Sequence, residues 1–314
     1  MRRRQFFALG LGVAASTAAL AACGSGPGTA SRLGPVSVVA AAAPWTPMAQ
    51  AYGRALEQRG FPLAGRDTTG PITTITVTGL PALAAAELNH GRPILEVATP
   101  LARLAGEPVV VVVPGGSRYT HFDAFAAQLV ADPARTFLAG GPTGETDHVL
   151  FGLIARGVGA DSRLVDYSGY AASADSVPAL LNGAAAAAAG TLDAWRPHIA
   201  QRRVRVLAVS TDERVPEVDA PTLKECGVRV DFAEWCAAFG PKDMADPARQ
   251  AAMAACDEAA YSDQWLDACR SRGWTPMPLS GEDFRVWLTS EVDRTRDVLI
   301  DLGLLDTPAT TYRG

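Results

Sequence analysis

An α/β fold follows from two features of the chain. Short β-branched apolar runs recur between Ala/Leu-rich stretches with helical spacing, and Gly or Pro punctuates nearly every junction. Such alternation implies mainly parallel sheets flanked by helices, with ligands held at the carboxyl ends of strands. With 314 residues, 48% of them hydrophobic, the chain is long enough for two domains with sizeable cores or for one large α/β domain.

The first residues read as an export signal rather than as part of the fold. Arg2, Arg3 and Arg4 precede an apolar run over 6–22 that is too short and too rich in small residues for a stable membrane span. The run ends in Leu20, Ala21, Ala22 and Cys23, a lipobox in which the Cys23 thiol takes a diacylglycerol, so 1–22 is expected to be a lipoprotein signal peptide. Arg3 and Arg4 before Gln5, Phe6 and Phe7 also fit a twin-arginine export signal. The Gly, Ser, Pro and Thr of 23–35 make a flexible tether, and the fold starts at about Val36.

Strands are expected over 36–40, 75–78, 109–114, 137–139, 164–167 and 204–210. Helices are expected over 47–59, 80–89, 121–131, 146–156 and 174–182, then over 247–272 and 282–302, with Gly273, Pro276 and Pro278 forming the loop between the last two. The valine run 109–113, bounded by Pro108 and Pro114, has the length and β-branching of a buried strand, so the lipid is the one membrane attachment.

A net charge of −5, made more negative by loss of the signal arginines, argues against nucleic acid as a partner and against a basic membrane-binding surface. Cys226, Cys236, Cys256 and Cys269 would face an oxidising compartment, and local pairing as Cys226–Cys236 and Cys256–Cys269 is the expected connectivity among the possible ones. No CxxC occurs, and His90, His121, His148 and His198 are far apart, so neither a metal nor a cofactor is expected.

Two strand-to-helix junctions carry the chemistry. The segment GGPTGET at 140–146 brings small residues to the start of a helix whose first amides lack intrahelical partners, an arrangement that suits a carboxylate, with Thr143 and Thr146 as further donors. Taken alone, this segment reads first as a capping turn with Thr146 as the cap. Ser168, Gly169 and Tyr170 repeat the design and add a phenol that walls a pocket.

These segments occur in an order that resembles one family. ATPLARLAGE at 98–107 leads into the valine strand and Pro114. GGPTGETDH follows at 140–148, then DYSG at 166–169, LAVS at 207–210, ERVP at 213–216 and PTLKE at 221–225. The pattern is similar to the extracytoplasmic solute receptors of tripartite tricarboxylate transporters, from about residue 36 to 305. The resemblance implies a two-domain, Venus-flytrap, periplasmic-binding-protein-like fold and no catalysis. It places domain 1 at 36–113 plus 237–305 and domain 2 at 114–236, with hinge crossings near Pro114 and Trp235. It also implies a monomer that closes on a small carboxylate or amino-acid ligand and delivers it to integral membrane transporter subunits. The ligand residues expected are Trp45, Thr46, Thr78, Gly79, Thr143, Gly144, Glu145, Thr146, Ser168, Gly169, Tyr170, Gly190 and Thr191.

Departures from the family pattern bear on the site. APWTPM at 43–48 is bulkier than the usual glycine-rich ligand loop, 65–70 replaces a strand and helix, and GAAA at 183–186 lacks a carboxylate. Glu145 sets a negative charge at the anion-binding helix end, which would repel an anion by roughly 1 to 4 kcal/mol at about 4 Å. Three outcomes are open: Glu145 points away, the ligand carries an amino group, or binding has been lost in a lipoprotein of the same fold that serves as a sensor or partner-binding protein. An Asp147, His148 and Ser168 triad is rejected, since no nucleophile elbow or phosphate loop accompanies it and His148 in the first helical turn is a capping or packing residue.

Overall fold

The computed structural model describes residues 33–306. The signal segment, Cys23 and the tether before Leu33 lie outside the described residues. The first half of the chain forms β1 (Val36–Ala40), α1 (Thr46–Gln58), β2 (Thr73–Gly79), α2 (Leu80–Leu88), α3 (Ile94–Val97), β3 (Ala98–Pro114), α4 (Phe122–Ala131), β4 (Leu138–Gly140), α5 (Thr146–Val158) and β5 (Tyr167–Gly169). The second half forms α6 (Val177–Leu181), β6 (Ala187–Thr191), α7 (Leu192–Ala200), β7 (Val204–Val209), β8 (Ala233–Pro241), α8 (Asp246–Ala260), α9 (Asp263–Arg272), β9 (Thr275–Ser280) and α10 (Gly281–Asp301). No described helix is long and apolar enough to cross a membrane.

The class is α/β, and the sheet is mixed. β1 and β2 are parallel, as are β4 with β5 and β4 with β6, whereas β3 runs antiparallel to β6, β7, β8 and β9. β3 joins two sheets: 98–108 pairs with β8, and 102–106 of that stretch also with β9, while 109–114 pairs with β6 and β7. Its change of partner falls between Pro108 and Val109, and β8 enters the first sheet at Ala233.

Several elements differ from the expectation for local physical reasons. The stretch 98–108 is strand although Pro100, Gly106 and Pro108 weaken it, because it is paired on both sides and bulges between Pro100 and Ala102 and between Arg103 and Ala105. Pro276 and Pro278 sit in β9, an edge strand that pairs with β3 alone, where missing amides are tolerated. β6 is an alanine run of low strand propensity held between β3 and β4. The helix expected over 247–272 is broken at Ser262, whose Oγ accepts from the Trp265 amide and caps α9.

One apolar cluster is continuous across both sheets, joining α2, β3, α5 and α10 through Leu83, Val111, Ile154 and Leu299. α5 and α10 approach closely at Gly152, where a Cβ would lie 2.7 Å from Val298 Cγ1. The outer face of the first sheet packs α1, α8 and α9 around Tyr52, Trp265 and three cysteines.

The expected disulfides do not form. Cys226, Cys236, Cys256 and Cys269 are free thiols. Cys236, Cys256 and Cys269 are fully buried in that outer core, where they pack as small apolar side chains, while Cys226 sits at the edge of the other cluster. Burial pushes the Cys256 and Cys269 thiols up to about 12.

Candidate functional site

The turn between β4 and α5 is tied to itself by side chains that follow it. Asp147 Oδ2 accepts from the Gly141 amide at 2.6 Å and from Ser173 Oγ at 2.5 Å, and Tyr167 Oη donates to the Gly141 carbonyl at 2.7 Å. Gly140 has no room for a side chain, since its Cβ would lie 2.6 Å from Tyr167 Oη. Gly144 adopts a φ of +84° and packs on Leu88 and Leu304, so the turn touches α2 and the end of the last helix. Its amide donates to His148 Nδ1 at 3.1 Å, and the imidazole stacks on Tyr167 with centroids 4.1 Å apart. Burial lowers His148 to about 4, so the ring is neutral with Nδ1 as acceptor. It is therefore a packing and capping residue, and exposed Ser168 forms no triad with it.

Glu145 is the N-cap of α5, yet its side chain makes no capping bond, and Thr146, the expected cap, is the first helical residue. Two buried oxygens at this helix start have no hydrogen-bond partner among the described residues: Thr146 Oγ1 and Asp147 Oδ1. Those residues are 3% and 2% exposed.

Two carboxyl groups pair across the strands that join the sheets, and the charges of Asp147 and Glu145 at this helix start act on one of them. Glu107 on β3 lies opposite Glu234 on β8 in the antiparallel ladder. Glu234 keeps partial exposure, yet the surrounding protein pushes its carboxyl up to about 8, with the Asp147 charge adding to this and the Thr146 hydroxyl opposing it. Glu107 is raised by burial against the pull of Trp274, whose Nε1 donates to it at 2.9 Å, and of Thr191. Burial also raises Glu145 and Asp147; the Asp147 charge reinforces this at Glu145, while the Ser173 and Gly141 bonds oppose it at Asp147.

The expected ligand residues divide. Glu145, Thr146 and Thr191 meet at the acidic cluster. Trp45 is buried against Gly79, where a Cβ would lie 3.0 Å from the ring and 2.0 Å from the Trp235 carbonyl. Gly190 is closed off by Trp195 and Ser173. Thr143 packs on Gly169, Tyr170 donates its amide to the Gly140 carbonyl at 3.0 Å, and Thr46 is exposed at the start of α1. Thr78 lines a separate cavity of about 490 Å³ beside α2 and β8.

A cavity of about 560 Å³ opens beside Glu107, walled by Pro44, Pro47 and Trp274 from one side and by Asp193, Arg196 and Glu217 from the other. Arg196 pairs with Glu217 at 2.7 Å and reaches across to Gly273. Glu107, Asp147 and Glu234 were not among the expected ligand residues. Their signal in the sequence is a single charge in an apolar strand, at Glu107 before the valine run and at Glu234 beside Trp235.

A cleft of this kind, set where two α/β sheets share long strands, is a binding architecture. A sequence profile described as "Tripartite tricarboxylate transporter family receptor" matches residues 81–304, and the chain belongs to that family. It is 27% identical over 212 residues to protein BugT of Bordetella pertussis, an alignment that takes in 67% of this chain and 64% of BugT, so the chain spans somewhat under two thirds of that relative's length. The fold resembles a TctC solute-binding protein from Polaromonas at a TM-score of 0.66 and 16% identity, covering 85% of this chain and 98% of that one. It also resembles an R. palustris protein with adipate at a TM-score of 0.64 and 19% identity, covering 87% of this chain and 98% of that one. The family is one of solute-binding receptors and is not catalytic.

Proposed function

We propose that this chain is a lipid-anchored extracytoplasmic receptor that captures a small carboxylate-bearing solute between two hinged domains and delivers it to the membrane subunits of a tripartite tricarboxylate-type transporter. The domains of this reading are 36–113 plus 237–305 and 114–236, with the hinge where β3 and β8 run from one to the other. The observation that carries it is the start of α5, where unpartnered Thr146 and Asp147 oxygens are buried beside Glu107 and Glu234. Buried polar atoms without partners cost about 1 to 3 kcal/mol each, and a ligand that satisfies them recovers that cost. The family assignment and the adipate held by the R. palustris neighbour support a carboxylate among the ligand's groups.

A thermal-shift screen of dicarboxylates, tricarboxylates, amino acids and aromatic acids tests capture. A ligand at about 100 times its Kd adds about 2.7 kcal/mol of stability. A screen in which no compound raises the melting temperature favours the sensor reading. The anchor is tested by Cys23→Ser, which should move the protein from the membrane to the soluble fraction without unfolding it. Equal incorporation of labelled fatty acid into both forms would refute the anchor.

A further inference from the structure

We propose that the cavity of about 490 Å³ beside α2 and β8 is a second binding site, separate from the proposed cleft, and that it takes a rigid organic anion with hydroxyls along one edge and an apolar opposite edge. Its walls come from 41–98 and 239–241 alone, within 36–113 plus 237–305, so the inference does not depend on the cleft. Thr74, Thr76 and Thr78 alternate along β2 and line the cavity together, about 7 Å apart. None of the three hydroxyls makes a hydrogen bond to a described residue. Thr78 is only 6% exposed; its Oγ1 has no partner yet is not sealed off as that of Thr146 is, so it opens onto the space that Thr78 lines. A molecule held there can supply the missing bond.

The hydroxyls come from the sheet, and the alkyl groups come mainly from the helices that cover it. Ala82 and Ala86 stand one turn apart on α2, Ile94 and Val97 belong to α3, and Phe239 of β8 is the register partner of Thr76. Val97, and Val39 paired with Thr76 in the β1–β2 ladder, are large apolar side chains left 42% and 38% exposed at this place, as at a surface that receives something. Size selects the occupant. Thr74 to Thr78 covers about 13 Å of strand, so about 490 Å³ over that length leaves a section about 6 Å across. An α-helix, about 10 Å wide, does not fit, whereas small-molecule pockets run from about 300 to 1,000 Å³.

Charge sets the sign of the occupant. Arg92 is the one charged side chain among the described residues of the wall. It pairs with Glu96 at 3.7 Å, with the two side chains 61% and 60% exposed. An exposed pair of that length contributes little, so the guanidinium is open to an acid group on the occupant. Sheet hydroxyls, helix alkyl groups and one guanidinium at the mouth together describe a molecule with a polar edge, an apolar edge and an anionic end.

The test uses cholate, whose hydroxyls lie on one face of a rigid apolar skeleton ending in a carboxylate. Its controls are lithocholate, which keeps a single hydroxyl, and cholate methyl ester, which lacks the charge. Calorimetry is run on the full chain carrying Cys23→Ser, without detergent and below micelle-forming concentrations, so that no other amphiphile competes. Cholate should bind about tenfold or more tightly than either control, although both are more apolar. Thr78→Val should erase the preference over lithocholate, and Arg92→Gln the preference over the ester, each with a melting temperature near that of the parent chain. Ala82→Phe should fill the groove and weaken cholate by about tenfold or more. Either control binding as tightly as cholate, preferences that survive Thr78→Val and Arg92→Gln, or silence from all three compounds would overturn the inference. The receptor reading, tested by the acid screen, stands or falls separately.

Discussion

Replacing Glu234 by Gln should relieve part of the alkaline sensitivity of this protein. The folded chain holds the Glu234 carboxyl protonated up to about pH 8, whereas an unfolded glutamate ionises near about 4.3. Between those values the folded state retains a proton that the unfolded state has released. Stability from this group is therefore complete below the unfolded value and falls as pH rises, by up to about 1.4 kcal/mol per pH unit, until the folded carboxyl ionises. Burial shifts Glu107, Glu145 and Asp147 in the same direction, so their slopes add. Discounting for the partial exposure of Glu234, the variant should be more stable than wild type by about 2 to 4 kcal/mol at pH 9 and about equal to it at pH 4.5. Urea unfolding followed by tryptophan fluorescence at pH 4.5, 7 and 9 measures this, with Trp235 adjacent to the substitution. A wild-type stability that rises between pH 7 and 9, or a variant less stable than wild type at pH 9, would refute the convergence of acids on which the site is built.

The opposite limb belongs to His148. Its folded value of about 4 lies below the ordinary 6.5, so stability should fall as pH drops from 6.5 toward 4, by about 3 kcal/mol, and His148→Gln should flatten that limb in the same urea series. Gly152→Leu should destabilise the protein by about 1 to 3 kcal/mol by forcing α5 off Val298 and Leu302, as read by the shift in urea midpoint. Thiol titration should find Cys226 alone reactive in the native protein and Cys236, Cys256 and Cys269 reactive only in denaturant; a native protein in which none of these four can be alkylated even after unfolding would mean that they are bridged.

The α/β class and most helices are legible in the sequence because Val36–Ala40, the valine run and α1 announce themselves by β-branching and helical spacing. Less legible are β6, β9 and the first half of β3, whose alanines, prolines and glycines are poor strand formers and take that form only because long-range partners on β8, β3 and β4 hold them. The GGPTGET turn stood out as a carboxylate-binding helix end, and Glu145 as a charge out of place there. The sequence alone could not reveal that Glu107 and Glu234, distant along the chain, become cross-strand neighbours beside that turn. Cysteine number and compartment pointed to bridges, yet burial of three thiols in one apolar core was decided by packing that spacing does not encode.

The proposed site depends most directly on Thr146, whose buried hydroxyl lies beside the Glu234 carboxyl at the start of α5 but makes no hydrogen bond of normal geometry among the described residues. Calorimetric titration of wild type and Thr146→Val with the compound giving the largest thermal shift should show affinity weaker by about 1 to 3 kcal/mol in the variant, as for a lost hydrogen bond to a charged group. Equal affinity in the two proteins would contradict the account and leave Thr146 as no more than the first residue of a helix.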